Sequence, residues 1–175
     1  MDPKIQIQNE ERLVAELERF GVRYLSRQTD EKARRSRAPH KLIADLIQQP
    51  SSRVRAALIA LLLARPSFAE HVPSSLKYLP PEQAQTLKLF YTAAVLLQYQ
   101  YAASLQTFLG AEWRWLPDLF STEFNLLPAA PRERLRALAK LHQQKTGMTL
   151  NWAGTYENAA RHLLRRWELE QTWNL

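Results

Sequence analysis

The chain has no cysteine, only four glycines and two methionines among 175 residues, and no long apolar run. Without cysteine there is no disulfide framework and no thiolate metal ligand, so the composition fits a cytoplasmic rather than a secreted protein. The glycines stand singly at 21, 110, 147 and 154. A phosphate-cradling loop needs clustered glycine so that backbone N–H groups can approach the anion, which excludes Walker A and dinucleotide-binding fingerprints. The longest apolar run, Ala56 to Ala64, is bounded by Arg55 and by Arg65-Pro66. A spanning helix needs about 20 such residues, so no membrane partner is expected. The opening MDPKIQIQNEERL has neither the pattern of a signal peptide nor that of a transit peptide.

What is present is an ordinary globular balance, 46% hydrophobic and 23% charged, which reads as one helical domain over 1–175. Prolines punctuate the chain, and between them the apolar period is close to 3.6. The spacing predicts a first helix over 9–20, with Asn9 as N-cap and Gly21 past its end. Residues 22–25 read as extended, followed by a mobile basic loop near 26–38. A second helix is expected over 39–49. A third, over 53–65, is apolar around almost its whole circumference and therefore belongs in the middle of a bundle. A short helix over 67–72 and a turn region SSLKYLPP precede the longest element, about 81–109, which begins at Pro81 and is stopped by Gly110. Residues 111–131 read as an aromatic connection. Helices over 132–144 and 155–173 close the chain, the last with a stripe of Tyr156, Ala159, Ala160, Leu163, Leu164 and Trp167. The expected fold is an all-α compact multi-helix bundle around the 81–109 helix. The segment QQPSSRVRAALIALLLARP resembles half of one HEAT-type repeat, but a solenoid needs several stacked copies.

The net charge of +7 is unevenly spread. Between 19 and 55 stand Arg19, Arg23, Arg27, Lys32, Arg34, Arg35, Arg37, Lys41, Arg53 and Arg55 against three acids. Arginine forks onto phosphate or carboxylate, so Arg23, Arg27, Lys32, Arg34, Arg35, Arg37, Lys41, Arg53 and Arg55 are the candidate contacts to a nucleic-acid backbone or an acidic protein surface. The alternative is a solvated basic loop. Two helices joined by Gln-Gln-Pro-Ser-Ser have helix-turn-helix length. A recognition helix must present polar side chains to base edges, however, and Ala56 to Ala64 does not.

Four histidines, His40, His71, His142 and His162, are the candidates for proton transfer. None has metal-ligand spacing, no GxSxG elbow is present, and neither a metal nor a cofactor is expected. Arg35-Ser36-Arg37-Ala38-Pro39-His40 has Arg-x4-His spacing and resembles the ribonuclease motif of all-helical HEPN domains. There an imidazole moves a proton and a guanidinium stabilises phosphorane charge. That gives Arg35 and His40 an alternative catalytic reading, although arginine is frequent enough for about one such match by chance. His142 reads as a surface residue at a helix C-terminus, and His71 and His162 read as surface residues. Trp113-Arg114-Trp115 is either an exposed interface anchor or a lid in which one tryptophan closes the bundle end. Trp173, near the C-terminus, reads as an unpacked aromatic available to a partner.

The segments PSSRVRAALIALLLARPSFAEHVPSSLKYLPPEQAQTLKLFYTAAVLLQ and GMTLNWAGTYENAARHLLRR resemble small helical bacterial proteins encoded beside nucleotidyltransferase-type toxins. The resemblance implies an antitoxin or accessory protein whose partner, possibly the nucleotidyltransferase toxin, is the enzyme. It supplies no motif with assigned chemistry. The expected function is thus a non-enzymatic helical binding protein, with a HEPN-like ribonuclease and a nonspecific nucleic-acid binder as alternatives.

Overall fold

The computed structural model describes residues 3–25 and 36–174, and every regular element among them is helical. The α-helices are α1 (Pro3–Arg19), α2 (Pro39–Ile47), α3 (Ser52–Ala64), α4 (Val72–Leu76), α5 (Pro81–Gln100), α6 (Ala102–Leu109), α7 (Pro131–Thr146) and α8 (Trp152–Trp173). Short 3-10 helices cover Pro66–His71 and Gly110–Glu112.

Helix α3 starts where the Ser51 hydroxyl accepts the Val54 N–H, a cap worth about 1 kcal/mol. It packs against α5, α8, α2 and the first 3-10 helix, and this is why its apolar residues run all round: Val54 and every residue from Ala56 to Ala64 are buried. Helix α5 packs on α3, α7 and α8 and buries an unbroken run from Leu89 to Gln98. Buried side chains from all these helices join in one contiguous core among the described residues.

Four local expectations are corrected. The 81–109 element is two helices, because the backbone turns at Tyr101 (φ −110°, ψ 19°). The turn lets α6 leave α5 and pack on α3 and α8. Helix α1 begins at Pro3, a residue suited to a first turn, and Asn9 lies inside it. The expected turn region is in part helical: Pro73 sits in the first turn of α4, which runs on through Ser74, Ser75 and Leu76. Helix α8 begins one turn earlier than the stripe indicates, with the Asn151 side chain accepting the Gly154 N–H at 3.0 Å. The connection after α6 is irregular yet fixed: the Tyr91 hydroxyl donates to the Pro117 carbonyl at 2.7 Å.

Candidate functional site

The basic segment divides into residues with different tasks. Arg27, Lys32, Arg34 and Arg35 lie outside the described residues. Arg37, expected within a mobile loop, is instead held in place. Its backbone N–H and Nη1 both donate to the Glu16 carboxylate, its Nε to Asp45 at 2.8 Å, and its Nη2 to Asn9 at 3.3 Å. Glu16 is buried on the core side of α1, so Arg37 neutralises a charge that water cannot reach. Arg23 pairs with Glu170 of α8 at 2.7 Å. Arg53 is exposed, with Nη2 3.4 Å from the Tyr24 carbonyl, and Lys41 is exposed. Arg55 turns inward to the carbonyls of Gln49 and Pro50, at 2.7 and 2.9 Å.

The Trp-Arg-Trp segment is set by a residue that the sequence reading overlooked. Gln98 is fully buried; its Nε2 donates to the Arg114 carbonyl at 2.8 Å and its Oε1 accepts the Leu116 N–H at 2.7 Å. These two bonds bracket Trp115. Its ring stacks on Tyr99 with centroids 4.7 Å apart, and Trp113 meets it edge-on at 5.0 Å. Trp113 packs against the core and acts as the lid, whereas Trp115 is 47% and Tyr99 51% exposed. Arg114 projects beside them, with Nη1 3.5 Å from Glu70. The result is an aromatic platform on fixed backbone, open to water. Trp173 is also exposed, but it does pack locally, beneath the Arg166 guanidinium at 5.5 Å. The contact leaves 67% of Trp173 open to solvent, so its exposure agrees with the expectation, while the ring has a local neighbour that the expectation did not include.

A cavity of about 780 Å³ opens at the corner where α2 and α7 end and α3, α5 and α8 begin. Arg55, Gln83, His142, Lys145 and Trp152 are among its lining residues. His142 corrects the expectation of a surface histidine: it is 1% exposed, stacks on Trp152 at 3.6 Å and pairs through Nδ1 with the Tyr156 hydroxyl at 2.6 Å. Burial, and secondarily the nearby Arg55 charge, push its pKa down to about 4, so the ring is neutral near neutral pH. Burial also raises the Tyr156 hydroxyl pKa and lowers that of Arg55.

The remaining histidines are not assembled into a common site among the described residues. His40 is half-buried and stacks on Tyr78 at 5.4 Å, while Arg35, its expected catalytic companion, lies outside the described residues. His71 forms a T-shaped pair with Phe68, and His162 one with Tyr24. No group of three or more potential metal ligands occurs among the described residues, and no helix there is long and apolar enough to cross a membrane. Two signals for the overlooked residues do exist in the sequence. His142 continues the i, i+3, i+4, i+7 series of Leu135, Leu138 and Ala139, and Gln98 continues that of Tyr91, Ala94 and Val95. No protein-family model, no curated protein and no solved structure matches the chain.

Proposed function

We propose that the chain is a non-enzymatic helical binding protein, an antitoxin-like or adaptor partner of another protein in the cytoplasm. The platform of Tyr99 and Trp115, with Arg114 beside it, is the contact it offers. The observation that carries this reading is the Gln98 clamp. A buried amide is committed to fixing the backbone on both sides of a tryptophan whose ring remains in water. A ring held this way loses little conformational freedom on binding, and Trp, Tyr and Arg are the residues on which interface energy concentrates. Arg53, Lys41 and the arginines near 27–35 add positive charge that would steer an acidic partner. The nucleotidyltransferase to which the resemblance points is the first partner to try.

Affinity capture with wild type, Trp115→Ala and Arg114→Ala tests the reading, with circular dichroism as the check on folding. The expected outcome is one protein retained in stoichiometric amount by wild type. Its affinity should fall at least about 30-fold with Trp115→Ala, as for an interface residue worth about 2 kcal/mol. Equal capture by folded wild type and folded Trp115→Ala would overturn the assignment of the platform.

A further inference from the structure

The corner cavity has a chemistry of its own, independent of the aromatic platform. Arg55 is half-buried and pays part of the cost of leaving water, yet it has no carboxylate partner among the described residues. Among the described residues only its Nη1 is committed, to two carbonyls, and neutral carbonyls do not cancel its charge. Two further buried atoms on lining residues are unpartnered: the indole N–H of Trp152, a donor, and Oε1 of Gln83, an acceptor. Lys145 adds a second cation at the rim, against one lining carboxylate, Glu82. The volume lies within the about 300–1,000 Å³ of small-molecule sites.

We propose that this cavity is a binding site for a small organic oxyanion, a phosphate ester or a polycarboxylate. Its anionic group sits on the free edge of the Arg55 guanidinium with Lys145 at the mouth, and its uncharged part lies along the stacked His142 and Trp152 side. An oxyanion supplies what Arg55 lacks, since guanidinium and phosphate or carboxylate match in charge and in forked geometry. Neutral His142 adds no competing charge, and its bond to Tyr156 holds the wall in position.

The test titrates inorganic phosphate, adenosine monophosphate and citrate into the full chain. Binding is read by calorimetry and by the indole 1H–15N signal of Trp152, assigned through Trp152→Phe. The expected result is saturable binding of at least one probe, with a shift of the Trp152 signal and at least about tenfold weaker binding in Arg55→Gln. Binding of phosphate or adenosine monophosphate alone identifies a phosphate site, and of citrate alone a carboxylate site. If Arg55→Gln does not fold, Lys145→Gln, at an exposed position, takes its place with a smaller expected loss of about threefold. Absence of saturable binding by all three probes at 10 mM, on the order of the weakest useful affinities, overturns the proposal. Undiminished binding in both variants overturns it equally. Retained capture of a protein partner by Trp115→Ala leaves this site untouched, so the two readings fail separately.

Discussion

At the scale of single residues, His142 carries the clearest consequence of burial. Its pKa is about 4 in the folded chain, against about 6.5 for an unperturbed histidine. The unfolded chain therefore takes up a proton first as pH falls. The stability that depends on a neutral His142 is complete above about pH 6.5, declines as pH falls through that value towards 4, and is then exhausted. The contribution is up to about 3 kcal/mol. Urea midpoints at pH 7.5 and 4.5 should separate widely for wild type and by clearly less for His142→Gln, which cannot take up that proton. An unchanged separation in the variant would mean that the ring protonates equally in both states. Gln98 makes a complementary point: a polar side chain in the core is tolerated because both ends of its amide are used.

At the scale of elements, the end of α1 shows how one turn fixes the position of a distant helix. Gly21 has φ +92°, its carbonyl accepts the Trp167 indole N–H at 3.0 Å, and Arg23 follows with its bridge to Glu170. A Cβ at Gly21 would meet Trp167 at an ordinary 3.6 Å, so Gly21→Ala costs mainly backbone strain. Loss of about 1–2 kcal/mol in urea unfolding is expected. A loss below about 0.3 kcal/mol would show that the turn relaxes without penalty. Elements whose signal is burial were legible in the sequence: α3, α5 and the stripe of α8 follow from apolar periodicity, because core contacts impose it. The start of α1 was not, since Ile5 and Ile7 face water and leave no stripe. Nor was the turn at Tyr101, which no glycine or proline marks and which follows from the packing of α6 on α3 and α8. The cavity was illegible for a related reason. Its residues come from five segments spread between 47 and 152, and only folding brings Arg55 near His142.

At the scale of the whole molecule, the net charge of +7 is a sum over residues in opposite situations. Arg37 ties the chain preceding α2 to α1 through a buried carboxylate, so Arg37→Ala leaves Glu16 uncompensated and should cost about 3 kcal/mol. Lys41 and Arg53 are exposed, and Lys41→Ala with Arg53→Ala should change stability by no more than about 0.5 kcal/mol. Binding to a polyanion inverts this order. A guanidinium already committed to two carboxylates releases no counterions from a nucleic acid, whereas a solvated cation does. If the basic residues meet phosphate, the affinity for a fluorescent single-stranded oligonucleotide falls linearly with salt on logarithmic axes. Removing Lys41 and Arg53 together then makes the slope shallower by about 1.4, twice the 0.7 expected per contact on a single strand. A folded variant with an unaltered slope excludes those two residues as phosphate contacts. Salt-insensitive association would count against nonspecific nucleic-acid binding altogether, and would leave the basic residues as steering charges for an acidic protein that docks on the Tyr99 and Trp115 platform.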